Sequence, residues 1–452
     1  MEGDDSVKVK TPIPKDTGID NTLDLMNEGF RFFTRRRETL QSDIFETRLI
    51  GQKAICMAGE EAAEIFYDEE KFKREGAMPK PLKSSLLGEG GVHGLDGEDH
   101  KHRKRMLLSM MTPERLEDMK RIIVEELDKK ASEWEQKDEV VMLEEIQKVF
   151  GLAGMRWAGL PSDDEDIDQR VQELVDMVDF GAPTISKTGI SFAKGVASRK
   201  SHEKWLQKII KRVRSGKIKP HPNTALYIVA HHTERDGKQL DLHDASVDLN
   251  NAYRPLIAAA YLVAFGLLAL HEHPRVEEKL KADEDGYSKN FTQEVRRYYP
   301  FAPAMVAKVK RKFEWKGHTF KKNRLVVLDF VGTNRHPDSW DEPDKFRPER
   351  FRNWKESPFS FIPQGGGDFY AGHRCAGEWL TVMAMRSTFL YITKSMTYDV
   401  PSQDLEYDMT RIPAFPKSGF IINNVQRTGL SAKKLKFDEQ SSTLVKHSKN
   451  EN

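Results

Sequence analysis

The stretch PQGGGDFYAGHRCAGEWL, residues 363–380, contains one of only two cysteines in the chain. Cys375 follows a glycine cluster and two basic residues, His373 and Arg374, and it precedes an apolar helical pattern. Adjacent cations and the start of a helix stabilise the anionic form of a thiol, and glycines let a flat group approach the backbone. This setting suits a thiolate bound to haem iron. A buried structural cysteine is the alternative that the stretch alone leaves open.

The overall composition argues against several classes of protein. The chain has 452 residues, a formal net charge of +1 and 32% charged residues, so wholesale nucleic-acid binding is not expected. Cys56 and Cys375 are its only cysteines, which excludes a disulfide framework and favours a reducing, cytoplasmic location. The N-terminal segment MEGDDSVKVKTPIPKD is polar and acidic, so neither a signal peptide nor a membrane anchor is expected there.

The chain is expected to form one catalytic domain over residues 21–429. Residues 1–20 are predicted to be a flexible arm and residues 430–452 a polar tail, because both have little apolar surface to bury. No long Gly/Ser-rich or Pro-rich linker divides the segment between them. A single compact unit is therefore the simpler interpretation.

The hydrophobic pattern predicts a mainly α protein with small β-sheets. Predicted helices cover residues 113–134, 140–157, 167–180, 201–215, 244–270, 287–299 and 377–396. Predicted strands cover residues 47–57, 304–310, 312–320 and 324–330. The apolar run PLIAAAYLVAFGLLAL, residues 255–270, is too short to span a bilayer comfortably, so it is interpreted as a helix buried in a large core. No membrane span is expected.

A second motif precedes the cysteine loop. The segment QEVRRYYP places Glu294 and Arg297 one helical turn apart, where they can pair. Such a pair means little alone, since most are solvated. The later segment FRPERF supplies Arg350, which can complete a buried Glu–Arg–Arg network. The order of these segments and the cysteine loop is more specific than any one of them.

This ordered set resembles the cytochrome P-450 superfamily over most of the chain. The resemblance implies a cytochrome P-450 fold, with haem b buried between the long central helix and the helix that follows the cysteine loop. It implies that Cys375 is the axial ligand of the haem iron. It also implies that Glu294, Arg297 and Arg350 form a structural triad that locks the core behind the haem.

The predicted central helix lacks the acid–alcohol pair with which this superfamily delivers protons to bound dioxygen. Residues 250–270 contain no Thr, Ser, Asp or Glu, and Arg254 and Pro255 stand in their place. A cation beside an apolar stretch either snorkels or pairs with a protein carboxylate, or it binds an anion such as a substrate carboxylate. The second interpretation is favoured. Pro255 lacks an amide hydrogen, so a kink is expected where the helix passes the site.

The Arg-Pro pair, the loop GGGDF…HRCAGEW, and the segments QEVRRYYPF and REGAMPK together resemble the bacterial fatty-acid peroxygenases. This subfamily includes α- and β-hydroxylases and decarboxylases that form terminal alkenes. The resemblance implies that hydrogen peroxide is used directly and that the carboxylate of a long-chain free fatty acid, paired with Arg254, supplies the missing acid–base function. No obligatory redox partner is then expected.

The resemblance also assigns residues around the haem. His93 matches the position that faces the haem, where hydroxylases have Gln and the best-known decarboxylase has His; an imidazole there can titrate or donate near neutral pH. Leu87 matches a substrate-contacting position where the subfamily often has Phe. The residues that match positions binding the haem propionates are Arg74, His100, Lys104 and Arg374. Taken alone, His93 is an ordinary turn histidine and each basic residue an ordinary surface group.

The sequence thus predicts a haem-thiolate enzyme that oxidises free fatty acids with hydrogen peroxide. Its expected products are α- or β-hydroxy acids, or terminal alkenes after oxidative decarboxylation. The predicted catalytic residues are Cys375, Arg254, Pro255 and His93. Two alternatives remain: a reductase-dependent P-450 monooxygenase of a carboxylic acid, and a haem-binding sensor without turnover.

Overall fold

The computed structural model describes residues 12–161, 166–179 and 185–429. The first eight α-helices are Thr22–Glu28 (α1), Arg31–Leu40 (α2), Glu60–Phe66 (α3), Lys80–Leu82 (α4), Gly97–Ser109 (α5), Pro113–Trp134 (α6), Met142–Ala158 (α7) and Ile167–Asp176 (α8). The next eight are Ile185–Arg214 (α9), Ala225–His231 (α10), Leu242–Tyr253 (α11), Pro255–Glu272 (α12), Pro274–Ala282 (α13), Tyr287–Tyr298 (α14), Phe330–Asn334 (α15) and Glu378–Ser395 (α16). A π-helical turn, Lys83–Leu87, continues α4.

The strands form three small sheets. They are Ile44–Leu49 (β1), Gln52–Met57 (β2), Phe72–Lys73 (β3), Val140–Val141 (β4), Ala304–Val309 (β5), Phe313–Trp315 (β6), His318–Phe320 (β7), Leu325–Asp329 (β8), Met396–Asp399 (β9) and Ile421–Arg427 (β10). The largest sheet has the order β1-β2-β8-β5-β3, in which only β2 and β8 run parallel. The others are β4-β10-β9 and the hairpin β6-β7. The predicted mainly α fold with small sheets is confirmed.

Two predicted strands are in fact hairpins. Residues 47–57 belong to β1 and β2, which turn at Ile50 and Gly51, both with positive φ. Residues 312–320 form β6 and β7, which turn at Lys316 and Gly317 in the same way. Each turn interrupts a run that reads as continuously strand-like, and the lone glycine in it is a weak signal for a turn. The predicted helix over 201–215 is also too short, because α9 begins at Ile185.

The long central helix is interrupted at Arg254 and Pro255, where a kink was predicted. Arg254 N donates to Asn250 O at 2.9 Å, which completes α11, and Ile257 N donates to Arg254 O at 3.0 Å, which tightens the first turn of α12. Proline has no N–H to continue the helical pattern between them. The break leaves Arg254 at the junction of the two helices.

The helix α12 runs through the core. Its side chains are buried almost all round, and Gly266 lets α12 lie directly against Phe389 of α16. The stretch Leu242–Glu272 is the one helix in the described residues that is long and apolar enough to cross a membrane, but 89% of its most apolar window is buried inside the protein. It is therefore a core helix, as predicted.

The structure describes part of the predicted N-terminal arm. Residues 12–20 do not extend away from the domain: Ile13 is buried, and Asp16 N donates to Glu46 O of β1 at 2.8 Å. The flexible arm expected over 1–20 is thus packed on the sheet in its described part. The predicted tail over 430–452 lies outside the described residues. A single domain over 21–429 and a cytoplasmic location remain predictions.

The predicted Glu–Arg–Arg side chains meet in the interior. Glu294 is fully buried and accepts two hydrogen bonds from Arg297, at 2.7 and 2.8 Å. Arg350 Nε donates to Glu294 Oε1 at 3.2 Å, and the backbone N–H of Arg347 donates to the same oxygen at 2.7 Å. Arg297 also donates to Pro343 O at 2.8 Å, so the network joins α14 to the segment that leads to the cysteine loop.

Candidate active site

A backbone hydrogen bond and two glycines with positive φ define the conformation of the cysteine loop. Cys375 N donates to Gln364 O at 3.2 Å, which closes the loop across its two ends. Gly365 and Gly367 have φ of +94° and +80°, a region that side chains rarely adopt. The loop therefore presents Cys375 immediately before α16. The side-chain amide of Gln364 lies 3.9 Å from the Cys375 Sγ and donates to Thr381 Oγ1 at 3.2 Å.

The protein environment alone does not hold Cys375 as an anion. Burial raises the pKa of its thiol, and the carboxylate of Glu378 acts in the same direction, while the charges of Lys104 and Arg296 lower it. Desolvation is the largest of these effects, so the pKa of the free thiol lies above its usual value. A bound metal ion would remove the proton from the thiol despite its burial. The Cys375 sulfur is therefore suited to be a ligand of an iron centre.

Arg374 belongs to a buried ion-pair network. Its Nε donates to Glu378 Oε2 at 2.6 Å, and its Nη2 donates to Glu356 Oε1 at 3.1 Å. The other oxygen of Glu378 accepts from Arg296 at 2.5 Å, and the side chains of Arg296 and Glu378 are almost completely buried. Because two carboxylates already neutralise Arg374, the geometry argues against its predicted role as a propionate ligand.

The other three predicted propionate residues lie around the cysteine loop. Lys104 Nζ donates to Gly372 O at 2.9 Å and also to Arg374 O, which ties α5 to the loop. The His100 ring stacks on His373 at 3.9 Å, and its Nδ1 is buried without a hydrogen-bond partner. Arg74 is buried over the ring of Phe66. Burial lowers the pKa of Lys104 to about 8 and that of His100 to about 3.

This donor set fits haem. A buried sulfur lies near buried cations and near an imidazole nitrogen that has no partner in the described protein. Buried polar groups of this kind call for a ligand or water, and the two propionates of haem are anions that accept such donors. His373, absent from the predicted contacts, joins the set through its stack on His100. The sequence signal for His373 is its position two residues before Cys375.

Arg254 is a buried cation with no anionic partner. It is 4% exposed, its Nε has no hydrogen bond, and no carboxylate of the described residues lies within ion-pair distance of it. Burial lowers its pKa to about 9, and the nearby charge of Arg199 adds to this effect. Isolated burial of a guanidinium is costly, so this position is chemically suited to an anion.

His93 lies in a short 3₁₀ turn, Val92–Gly94. His93 is exposed in a cleft that Arg74, Met78 and Leu87 also line. Burial, then the charges of Arg254 and Arg199, lower its pKa to about 3. This shift favours the neutral imidazole over its charged form.

Sequence reasoning missed Arg199, which clamps the loop that carries Leu87 and His93. From α9, its Nη1 donates to Leu86 O at 2.8 Å and its Nη2 to Leu87 O at 3.0 Å. Asn251 of α11 donates to the same Leu87 carbonyl at 2.7 Å. The clamp thus joins this loop to the helix that ends at Arg254. Its only sequence signal is one arginine in a helix rich in basic residues.

Comparison with known proteins supports the same type of site. The cytochrome P450 family model matches residues 259–411. Cytochrome P450EX alpha (CYP152N1), solved with myristic acid, is 40% identical and has a TM-score of 0.87, with 92% of this chain and 100% of that chain covered. Cytochrome P450 OleT, solved without ligand, is 39% identical with a TM-score of 0.88, covering 92% and 99%.

Two further relatives extend the comparison. A single-residue variant of cytochrome P450SP alpha (CYP152B1) is 41% identical with a TM-score of 0.88, covering 91% of this chain and 100% of that chain. A putative cytochrome P450 120 of Synechocystis sp. is 25% identical over 440 residues, which are 89% of this chain and 94% of that protein. The chain therefore belongs to the cytochrome P450 superfamily, in its CYP152 subfamily of fatty-acid peroxygenases and decarboxylases, and is a haem-thiolate oxidoreductase.

Proposed function

We propose that this protein oxidises free long-chain fatty acids with hydrogen peroxide as the oxidant. The products are α- or β-hydroxy acids, terminal alkenes formed by oxidative decarboxylation, or both. The observation that carries the proposal is Arg254, a buried and unpaired cation on a helix without the acid–alcohol pair that serves dioxygen. A carboxylic acid supplies both the missing anion and the missing proton-transfer group.

Cys375 would hold the haem iron, with Lys104, His100 and Arg74 on the side of the propionates. When bound, thiolate-ligated haem supplies the cleavage of the peroxide O–O bond. The protein's own part is to place the substrate. The guanidinium of Arg254 binds the carboxylate through two N–H donors, which fixes the orientation of the acid as well as its position.

Anchoring the carboxylate determines which carbon reacts. The α and β carbons lie one and two bonds from the fixed group, so they are held in place while the rest of the chain follows the pocket. The carboxylate, paired with Arg254, also accepts and returns a proton during peroxide activation. His93 and Leu87 line the same cleft, and we propose that they adjust the balance between hydroxylation and decarboxylation.

The substrate class draws support from two relatives. P450EX alpha was solved with myristic acid, and a single-residue variant of OleT, 38% identical to this chain, was solved with arachidonic acid. Both ligands combine a carboxylate with a long apolar chain. A buried arginine beside an apolar core helix matches that combination.

The experiment compares oxidants and head groups with the haem-loaded full-length protein. Palmitic acid and methyl palmitate are each incubated with hydrogen peroxide, or with NADPH and a surrogate reductase system, and the products are analysed by gas chromatography. We expect product only from the free acid with peroxide, since the ester has no anion for Arg254. Product formed only with the reductase system favours the monooxygenase alternative. Equal turnover of the ester contradicts carboxylate anchoring, and no turnover under any condition favours the sensor alternative.

A further inference from the structure

A second cluster of ligand-type side chains lies away from the active site. His102 of α5, His232 immediately after α10, and Glu234 in the following turn each offer a ligand atom, and these atoms all lie within 4.8 Å of one another. His100 and Lys104 of α5 face the cysteine loop, whereas His102 is about 200° around the helix from His100. The cluster therefore joins the outer face of α5 to the turn that precedes α11.

The hydrogen bond of His102 to a backbone carbonyl determines which ring nitrogen carries the hydrogen. Its Nε2 lies 2.7 Å from the carbonyl oxygen of Thr233. A carbonyl only accepts, so Nε2 carries the hydrogen and Nδ1 carries the lone pair. Metal-binding histidines commonly donate their other ring N–H to a backbone carbonyl in this way, which fixes the tautomer and the ring orientation.

His232 supplies a buried nitrogen without a partner. Its Nε2 has no hydrogen bond in the described protein, and its ring centre lies 4.8 Å from that of His102. The turn that carries it is held by backbone bonds, from Leu240 N to His232 O at 3.0 Å and from Glu234 N to Lys238 O at 2.7 Å. A buried nitrogen on a fixed backbone requires a ligand such as water or a metal ion.

The charges around the cluster favour a cation. Arg103 donates to Glu234 only at Oε1, which leaves Oε2 available. The same guanidinium donates to Asp248 at 2.7 Å and to Asp244 at 3.4 Å. Three carboxylates thus surround one guanidinium, so the region keeps net negative charge next to the two imidazoles.

We propose that His102, His232 and Glu234 bind one divalent transition-metal ion, with zinc as the best match. Two imidazole nitrogens and one carboxylate oxygen are ordinary zinc ligands, and water completes four-coordination. The ion links α5, which carries His100 and Lys104 at the active site, to the turn that leads into α11 and Arg254. Its role is to hold these two elements together, separately from the oxidation chemistry.

The test uses the haem-loaded full-length protein after removal of metals with EDTA. Zinc is titrated against a chromophoric chelator, with wild type, His232→Ala, Glu234→Gln and the control His221→Ala compared. His221 is an exposed histidine outside the cluster. We expect one zinc per chain in the wild type and the control, and affinity about 10-fold or more weaker in the two cluster variants. Glu234→Gln keeps the side-chain shape, so it reports on the charge if His232→Ala is misfolded.

Two further measurements check the site itself. X-ray absorption at the zinc edge should show nitrogen and oxygen ligands and no sulfur, which separates this site from Cys375 and Cys56. Zinc should raise the thermal unfolding midpoint of wild type and the control but not of the cluster variants, because only a ligand of the native state stabilises it. Zinc affinity that is unchanged in both cluster variants, or a sulfur ligand, would overturn the proposal.

Discussion

Arg254 has no counter-charge within ion-pair distance among the described residues, whereas three other buried arginines of the core are paired. Arg199 pairs with Glu203 at 2.6 Å, Arg296 with Glu378 at 2.5 Å and Arg297 with Glu294 at 2.7 Å. Removing one partner of a buried pair typically costs about 3–5 kcal/mol, because the remaining charge has lost its solvation. Arg254 carries such a cost in the protein by itself, and a bound carboxylate would relieve it.

Replacing Arg254 tests whether its unpaired, buried charge serves substrate binding. In Arg254→Ala we expect loss of the fatty-acid-induced shift of the haem spectrum and a fall in peroxide-driven turnover of about 100-fold or more, because the anchor and the acid–base partner disappear together. Arg254→Lys should be intermediate, since an ammonium keeps the charge but not the two-pronged contact. Spectral titration and initial rates measure both effects.

The matched control for these variants is Arg105→Ala, which removes an exposed arginine on α5. It should bind and turn over fatty acid like the wild type. Wild-type binding and turnover in Arg254→Ala would contradict the carboxylate-anchor mechanism.

His93 acts as a neutral group beside two cations. With its pKa lowered to about 3, it carries no charge at neutral pH and offers one N–H donor and one acceptor nitrogen to the cleft. A neutral imidazole can guide a proton or position the substrate carbons, but it is not required to hold the carboxylate. Leu87 lines the same cleft as His93.

His93→Gln should alter the product ratio while leaving catalysis intact. We expect normal haem content, continued consumption of fatty acid and a fall in alkene relative to hydroxy acid, since the amide cannot relay a proton as imidazole does. Gas chromatography under identical peroxide dosing gives the ratio for both proteins. If the ratio stays the same, His93 is only a loop residue and other pocket residues set the outcome.

At the scale of elements, the site depends on how one loop is joined to two helices. Arg199 of α9 and Asn251 of α11 both bond the carbonyl of Leu87. Asp248 of α11 accepts from Val92 N at 3.0 Å, next to His93. The kink at Pro255 sets the direction in which Arg254 leaves the same helix. The relative placement of His93 and Arg254 therefore depends on the contacts that Arg199, Asn251 and Asp248 make with the loop.

Arg199→Met should loosen this clamp. The change removes the donors to Leu86 and Leu87 and leaves Glu203 as an unpaired buried carboxylate, so we expect destabilisation by about 3–5 kcal/mol. The double variant Arg199→Met, Glu203→Met should recover much of that stability. It should still show altered product regiochemistry, since the loop stays unclamped. Urea unfolding and product analysis separate the two effects.

Arg212→Ala, an exposed change on the same helix, is the control for both measurements. A double variant with wild-type regiochemistry would mean that Arg199 contributes to stability alone and does not position the loop.

At the scale of the whole molecule, buried ionisable groups make stability depend on pH. Asp329 ends β8 and caps α15: its Oδ1 accepts from Gly332 N at 2.9 Å, while its Oδ2 is buried without a partner. Burial raises its pKa from 3.8 to about 6. Between these values the folded state binds more protons than the unfolded state, so this group's contribution to stability falls as pH rises.

Asp329→Asn removes this titration and keeps an oxygen to accept the Gly332 N–H. From about pH 4.5 to about pH 7, we expect the wild type to lose about 2 kcal/mol of unfolding free energy relative to the variant. Urea unfolding of both proteins at each pH, followed by tryptophan fluorescence, gives the difference directly. A difference that does not change with pH would show that the carboxyl does not titrate in this range.

The sequence by itself determined much of the fold and the types of residue at the candidate site. The helix α6 was predicted with the bounds that it has, and a kink in the central helix was predicted at Pro255, where α12 begins. These features depend on local rules, namely the period of apolar residues and the missing N–H of proline. The order of the Glu-Arg segment, Arg350 and Cys375 indicated the superfamily, because the order and spacing of motifs can be read directly from the sequence.

Only the tertiary structure decided the partners and the charge states. It brought Glu378 and Glu356 to Arg374, left Arg254 unpaired, and placed His93 where burial and two cations keep it neutral. Arg199 and the Leu87 loop lie 112 residues apart in sequence, so no local pattern links them. A pKa depends on solvation and on neighbours from distant segments, which the chain acquires only when it folds.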